Sequence, residues 1–335
     1  MDRRTFVKAL AISPLAATLA GRQVLAQQQF NLVVTGAGVE GYFRVIVETF
    51  NAILRDTYAG SAVTFKPNSP AGGLTAIAEG SSDISVAAGA PEILAAVNGE
   101  APFKAPLKGK VLKVMRLHNA QIFHFLANKD WAEKNGIKSF ADIAKKKPKM
   151  TVAINRKGNM QIVKCAEDIL EAHGCAVSDI ERWGGSISWV ASEVGLEQLQ
   201  DRKVDVFLNV RFLPDAAVAD IAKNVGLVWL QADDAALKKV ADKWGYEVGP
   251  VEPAHYAFVG QRTPTLVQWS GVLAGAHVPE ENIYKFLKAL FDNADRMRAI
   301  HPSMRSFSAT EAVKLPKVAE FHPGALKYYR EHKLL

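Results

Sequence analysis

The sequence predicts an α/β protein of two lobes, each a Rossmann-like α/β unit, joined by a hinge with a ligand cleft between them. Apolar strands alternate with amphipathic helices in two runs of similar layout. That order favours parallel sheets covered by helices on their faces. The second run lies between the front and the back of the first, so the chain crosses between lobes twice. A chain of 335 residues is long enough for two such cores.

The first 26 residues have the composition of an export signal. Arg3 and Arg4 precede Thr-Phe-Val-Lys, and an almost uninterrupted apolar run follows at Ala9–Ala20. This pattern is typical of a secretory signal peptide, and the paired arginines resemble a twin-arginine signal. The run is about 12 residues long, against the roughly 20 that a membrane-spanning helix needs. We therefore expect cleavage near Ala26 and a mature protein that acts outside the cytoplasm, with an uncleaved anchor as the alternative.

Lobe I is predicted to comprise residues 27–118 and 266–335. It begins with an apolar strand at Phe30–Thr35. A helix follows, because apolar residues recur at a 3.6-residue spacing between Phe43 and Leu54. The further elements are strand Ala62–Lys66, helix Leu74–Glu79, strand Asp83–Ala88, a helix from Pro91 and strand Val111–Leu117, and, after the second crossing, strand Thr265–Ala274, helix Ile283–Ala294 and a helix after Pro323.

Lobe II is predicted to comprise residues 119–265. Its first strand is Ile122–Ala127, which follows the strand at 111–117. Gly174 ends the first long helix of this lobe. The other elements are strand Met150–Ile154, strand Asp205–Val210, strand Gly226–Leu230, a helix that ends at Gly245 and strand Tyr256–Gly260.

Composition limits the possible partners. The net charge is +7, and no stripe of Lys and Arg with interleaved aromatic residues indicates nucleic-acid binding. After residue 26 no segment stays apolar for 18 residues, so we do not expect the mature chain to span a membrane. Cys165 and Cys175 are expected to stay unpaired and buried, because a helix separates them by more than disulfide reach.

Catalytic and metal-binding patterns are missing from the sequence. It contains no Gly-x-Ser-x-Gly elbow and no His-Glu-x-x-His. We expect His118 and His124 on neighbouring strands, packed or solvent-facing rather than metal-binding. The sequence thus indicates a binding protein without a cofactor. An exported enzyme that acquires a cofactor before crossing the membrane is the alternative from a different class.

The first candidate ligand loop follows strand 30–35, at the carboxyl end of a parallel strand, where ligands of such sheets bind. Residues 36–41 fit Gly-x-Gly-x-x-Gly, the dinucleotide fingerprint. The next strand ends in Lys66-Pro67 without the acidic residue that this function needs, and export separates the protein from nicotinamide. We favour backbone N–H groups that bind an anionic ligand, with a tight turn as the alternative. The candidate ligand residues are Gly36, Gly38, Val39, Glu40 and Tyr42.

Two further loops of lobe I are candidates for the same wall. In the loop Asn68–Gly73, the side chain of Asn68 or Ser69 is expected to cap the helix that begins near Leu74, or to bind ligand. Gly72 and Gly89 leave room for a ligand to approach the backbone, or serve only to turn the chain.

Lobe II supplies the opposite wall. Loop Asn155–Met160 contains Arg156, which can bind a carboxylate through two N–H groups, and Lys157, which acts as a point charge. A solvated basic turn is the alternative. Arg211 follows a strand core and is either a ligand clamp or part of a surface ion pair. Asn159, Asn209 and Tyr256 complete the predicted wall.

These residues together resemble the TAXI class of solute-binding proteins, which serve TRAP transporters. The closest stretches are His322–Glu331 and Val278–Phe291, and Gly72-Gly73-Leu74 with Asp83-Ile84 is also similar. The resemblance implies a monomeric periplasmic receptor of the type II binding-protein fold. It implies closure on a glutamate-like amino acid or a dicarboxylate, and delivery to a sodium-driven permease.

The chain departs from that class in two loops. In the first loop the class usually has Gly-Gly-x-x-Gly-x-Tyr, whereas here Tyr42 directly follows Gly41. In the second loop, Arg156-Lys157-Gly158-Asn159 stands where the class has Gly-Ser-Gly-Thr. Cationic recognition would replace hydroxyl recognition in the second loop, which indicates a more anionic ligand. The Gly36-Ala37-Gly38 opening is similar to phosphate-type binding proteins, so phosphate or another oxyanion is the second ligand class. A sensor that presents its ligand to a receptor kinase is a further possibility.

Overall fold

The computed structural model describes residues 29–36, 42–67 and 69–335. The predicted signal peptide, with its twin arginines and its cleavage near Ala26, lies outside the described residues. The candidate ligand residues Gly38, Val39, Glu40 and Asn68 also lie outside them. No helix in the described ranges is both long enough and apolar enough to cross a bilayer.

The strands of the described residues form one mixed sheet. Its order is β2-β1-β3-β10-β4-β7-β5-β6, with β8 beside β4 and β9 beside β10. Parallel pairs β1–β2 and β5–β6 lie at opposite ends of this order. The strands are β1 (Asn31–Thr35), β2 (Ala62–Lys66), β3 (Ile84–Ala88), β4 (Val111–Asn128), β5 (Thr151–Ile154), β6 (Ser186–Trp189), β7 (Val206–Phe212), β8 (Leu227–Trp229), β9 (Glu247–Val251) and β10 (Thr263–Gly275).

Two long antiparallel strands connect the lobes. β4 has 18 residues and β10 has 13. On one side β10 pairs with β3 of lobe I, where Leu273 lies opposite Ser85. On the other side β4 pairs with β7 of lobe II, where Phe123 lies opposite Val210. The two chain crossings are therefore made by continuous strands, and the lobe boundaries predicted after residues 118 and 265 fall inside them and stay a prediction.

Helices pack against the sheet. α1 shows why they form: its apolar stripe buries Ile46, Val47 and Phe50, and the Phe50 ring packs edge-on against Phe286, with centroids 5.2 Å apart. The helices are α1 (Tyr42–Thr57), α2 (Leu74–Ala78), α3 (Ala90–Asn98), α4 (Lys129–Asn135), α5 (Phe140–Lys146), α6 (Met160–Ala172), α7 (Val177–Arg182), α8 (Ser192–Gln200), α9 (Ala216–Val225), α10 (Asp234–Trp244), α11 (Glu280–Asp292), α12 (Ala294–Arg298), α13 (Ala309–Ala312) and α14 (Pro323–Glu331).

The strands predicted at 111–117, 122–127 and 256–260 do not form as predicted. The two strands predicted at 111–117 and 122–127 are one strand, β4, so His118 and His124 lie on the same strand, both buried. No strand forms at 256–260. The edge strand beside β10 is β9, whose Pro250 is tolerated because an edge strand has N–H groups that need no partner. β6 and β9 were not predicted.

The two cysteines behave as the sequence predicts. Cys165 and Cys175 are free and fully buried. Burial raises the pKa of the Cys175 thiol to about 12 and that of Cys165 well above its ordinary value. Both thiols are therefore neutral packing groups.

One lobe I helix reaches across to lobe II. α3 packs against α6, and its buried Ile93 and Ala96 belong to the same apolar core as Cys165 and Ala166 of α6. The amino-terminal ends of α3 and α6 consequently come together beside the cleft.

Candidate functional site

A cavity of about 440 Å³ lies between the lobes. It opens at the carboxyl ends of β1, β2 and β5, where ligands of such sheets bind. Lobe I lines it with Gly36, Phe43, Glu92 and residues 69–72, and lobe II lines it with Gln121, Asn155, Arg156, Gly158, Asn159, Gln161, Ile162 and Val210. Of the predicted ligand residues, the lining contains Gly36, Ser69, Gly72, Arg156 and Asn159.

Side-chain hydroxyls hold the lobe I wall against the sheet. The hydroxyls of Thr35 and Ser69 share a hydrogen bond, and the Ser85 hydroxyl donates to the Gly72 carbonyl. Ser69 precedes the short 3-10 helix at 70–73 but makes no capping hydrogen bond. Capping by Ser69 was therefore a wrong prediction, because Thr35 binds its hydroxyl instead. The turn is fixed in place without a ligand.

The lobe II wall is the loop between β5 and α6. The Asn159 side chain accepts the N–H of Ile162 at 3.3 Å and so caps α6. The Asn155 side chain accepts the N–H of Arg156 at 2.8 Å. The Arg156 side chain is exposed at the cavity, and within the described ranges it forms no ion pair. A cation beside the amino-terminal end of α6 makes this wall favourable for an anion.

Asn209 supports that loop from behind. Its side chain is buried and accepts from Asn155 Nδ2 at 3.3 Å and from the Ser192 hydroxyl at 2.9 Å. It does not line the cavity. Asn209 therefore positions Asn155, and the predicted direct ligand contact is not what the geometry provides.

Arg211 and Tyr256 lie outside the cavity lining, contrary to prediction. The Arg211 guanidinium pairs with Asp215 at 2.6 Å and with Glu193 at 3.4 Å. The Tyr256 hydroxyl accepts the Asp215 N–H at 2.7 Å and bonds His124 Nε2 at 2.8 Å. Both side chains are committed to partners within lobe II, so they stabilise the end of β7.

Tyr42 also lies outside the cavity lining. Its hydroxyl shares a hydrogen bond of 2.8 Å with Ser303. Its ring packs against His118 and Phe212, with centroids 5.6 and 4.7 Å away. Burial raises the pKa of its phenol to about 12. The neighbouring Phe43 takes the place in the lining that was predicted for Tyr42.

Lys157 and Gly89 have other surroundings than predicted. The Lys157 ammonium lies 5.2 Å from the centre of the Trp189 ring, outside the cavity lining. Gly89 approaches the side chain of Gln161 so closely that an added Cβ would lie 2.6 Å from Gln161 Cδ. The small residue at 89 makes room for the opposite lobe rather than for a ligand.

Glu92 is the main site residue that the sequence did not reveal. It is the third residue of α3, it lines the cavity, and only 6% of its surface is exposed. Its Oε1 accepts the Gln161 N–H of lobe II at 2.6 Å. Burial raises the pKa of its carboxyl to about 7, although the N–H groups of Gly89, Glu92 and Gln161 act to lower it. A glutamate three residues after a helix start is a common capping pattern, which could have singled it out.

Gln161 connects the two lobes further. Its side-chain Nε2 donates to the buried Gln268 Oε1 of β10 at 3.1 Å. Gln161, which lines the cavity, therefore bonds α3 through its backbone and β10 through its side chain.

Comparison with known proteins agrees with this two-lobed architecture. A family model described as the NMT1-like family matches residues 33–332. The chain belongs to the NMT1-like family. Structures that it resembles include PhnD1 from Prochlorococcus marinus (MIT 9301) in complex with methylphosphonate, with a TM-score of 0.53, 13% identity, and coverage of 91% of this chain and 99% of that one.

Two other solved structures are similar. MatC from Rhodopseudomonas palustris with bound malate has a TM-score of 0.52 and 15% identity, over 91% of this chain and 96% of that one. The periplasmic binding protein BugD has a TM-score of 0.52 and 14% identity, over 91% and 94%. These matches confirm the predicted type II periplasmic-binding-protein fold. BugD is named a periplasmic binding protein, and the other two structures hold methylphosphonate and malate. The role of this chain and its assignment to the TAXI class are treated below.

Proposed function

We propose that this NMT1-like protein is a periplasmic receptor that captures a small organic anion, a dicarboxylate or an acidic amino acid, in the cavity between its lobes. The observation that carries the proposal is Arg156, whose guanidinium lines the cavity without an ion-pair partner among the described residues. It stands beside the amino-terminal end of α6, so a ligand carboxylate gains both a charge-assisted hydrogen bond and a favourable dipole.

The size and position of the cavity support a binding role rather than catalysis. A volume of about 440 Å³ suits a small molecule. Both lobes contribute lining groups, so a ligand that touches Gly72 and Arg156 together stabilises the closed arrangement. The polar groups of the lining are amides, backbone groups, one hydroxyl, one guanidinium and one carboxyl, a set that suits recognition.

We propose further that the protein delivers its ligand to a TRAP-type permease and that residues 1–26 direct twin-arginine export. The similarity of His322–Glu331 and Val278–Phe291 to the TAXI class supports the first point. Uptake by vesicles that contain the permease should then need a sodium gradient and no ATP. Uptake that needs ATP would instead assign the protein to an ABC-type transporter.

Neighbouring cations provide the test of the binding site. Arg156→Ala should weaken binding of the preferred carboxylate ten- to a hundredfold, since a charge-assisted hydrogen bond contributes about 1.5–3 kcal/mol. Lys157→Ala removes the same charge from the same loop outside the lining, and should change affinity less than threefold. Isothermal titration calorimetry of both variants with succinate, glutarate, L-aspartate, L-glutamate and inorganic phosphate measures the difference.

Two results would contradict the proposal. Equal losses in the two variants would mean that only the overall charge of the loop matters. Binding of phosphate alone would favour the inorganic-oxyanion receptor over the organic-anion receptor.

A further inference from the structure

The cavity lining contains a buried carboxyl group, one of whose oxygens has no hydrogen-bond partner among the described residues. Glu92 is buried and lines the cavity, and its Oε1 is taken by the Gln161 N–H. Its Oε2 has no hydrogen-bond partner within the described part of the chain. Buried polar atoms are nearly always hydrogen-bonded, so an orphan oxygen in a ligand cavity indicates a missing donor.

Gln161 connects Glu92 to a second buried amide. Gln268 is fully buried, its Oε1 accepts from Gln161, and its side chain lies beside the Cys165 thiol. Gln268 does not line the cavity. Among the described residues of this cluster, Glu92 Oε2 is therefore the unused acceptor on a residue that lines the cavity.

The charges of the lining are opposite in sign. Among the described lining residues, Arg156 and Glu92 are the two that carry a formal charge, one on each lobe. A ligand with two carboxylates would place one of them against Glu92, at a repulsive distance in a poorly solvated site. A ligand with one carboxylate and one ammonium group complements both side chains.

Resting on the function proposed above, we infer that Glu92 is the specificity-determining residue of the site, and that its Oε2 accepts a hydrogen bond from a ligand ammonium group. The ligand is then an amino acid rather than a simple dicarboxylate. The Arg156 guanidinium binds its carboxylate from lobe II while Glu92 binds its ammonium from lobe I.

Matched pairs of compounds that differ only by the amino group test this inference. The pairs are L-glutamate with glutarate, L-aspartate with succinate, and L-leucine with 4-methylpentanoate. Calorimetry at pH 8 should show at least one pair in which the amino acid binds ten times more tightly than its partner. Glu92→Gln should abolish that ratio, and Glu100→Gln, an exposed site just beyond the end of α3, should preserve it.

The ratio of the two affinities within a pair, measured in Glu92→Gln, separates ligand recognition by Glu92 from a structural role of this residue. If Glu92 only caps α3 and α6, Glu92→Gln lowers stability but keeps the ratio, which overturns the inference. Equal binding of both members of every pair by the native protein also overturns it, while the proposed receptor function stands. If none of the six compounds binds, the organic-anion function itself fails. Should Glu92→Gln not fold, Glu92→Asp keeps the charge at a shorter reach and should retain the preference at a smaller ratio.

Discussion

Replacing Glu92 by glutamine should remove a pH-dependent loss of folding stability of about 3 kcal/mol. Burial raises the pKa of this carboxyl from 4.5 to about 7. Between these values the folded protein holds a proton that the unfolded chain has lost, so its stability falls as the pH rises. A shift from 4.5 to about 7 corresponds to about 3 kcal/mol. The loss is absent below pH 4.5 and complete above pH 7.

Urea unfolding of the ligand-free proteins at pH 4.5 and pH 8 measures this effect. The stability of Glu92→Gln relative to the native protein should rise by about 3 kcal/mol between the two pH values. The groups that face Glu92, Cys165 and Tyr246, have pKa values raised well above their ordinary ones, so they stay neutral throughout. The buried histidines are present in both proteins and cancel. A difference that does not change with pH would mean that Glu92 ionises as freely as an exposed carboxyl.

Gly36→Ala should destabilise the protein by about 3 kcal/mol or more. Gly36 has a φ of +111°, which side chains rarely adopt. An added Cβ would overlap the Val86 carbonyl oxygen and lie 2.8 Å from the Gly72 carbonyl oxygen. Both oxygens belong to backbone that cannot move without disturbing β3 and the cavity wall. Overpacking costs about 1–3 kcal/mol and a positive φ about 1–2 kcal/mol more.

Gly260→Ala is the matched control for this substitution. An added Cβ at Gly260 meets no atom within 4 Å, so its stability should stay within about 0.5 kcal/mol of the native protein. Equal unfolding midpoints in urea for the two variants would contradict the close packing of Gly36 between β3 and the turn at 70–73. Any Gly36→Ala protein that still folds should also bind ligand more weakly, because Gly36 lines the cavity.

Local sequence pattern was sufficient to predict several helices and the residues at which they end. The apolar stripe between Phe43 and Leu54 predicted α1 within three residues of its observed bounds. Gly174 follows α6, and Gly245 ends α10, as their conformational freedom led us to expect. These elements depend on residues three or four apart, which the sequence presents directly.

Pairing between strands determined two features that local sequence pattern did not predict, the continuity of β4 and the identity of the strand beside β10. A gap between two strands was predicted at 118–121, yet β4 continues through it because β10 pairs with residues on both sides of it. The apolar segment 256–260 suggested a strand, but β9 occupies the edge of β10. β10 lies far from β4 in the sequence, whereas β9 is the strand directly before β10.

The candidate site residues also divide into those that local pattern could predict and those that depend on distant contacts. Gly36, Ser69 and Arg156 lie at strand ends, and the rule for parallel sheets placed them at the cavity. Tyr256 was misplaced because its partner His124 is 132 residues away. Glu92 was missed because the Gln161 N–H that it accepts comes from 69 residues further along the chain. Contacts between residues so far apart in the sequence do not affect the local periodicity of apolar residues.

A crystal structure of the protein with its tightest-binding carboxylate tests the central claim most directly. We predict ligand density in the cavity between the lobes, with a carboxylate within hydrogen-bond distance of the Arg156 guanidinium and other ligand atoms in contact with residues 69–72. Density elsewhere, such as in the lobe II cavity lined by Trp229 and Phe258, would contradict the account. A ligand held by Arg211 in place of Arg156 would contradict it equally.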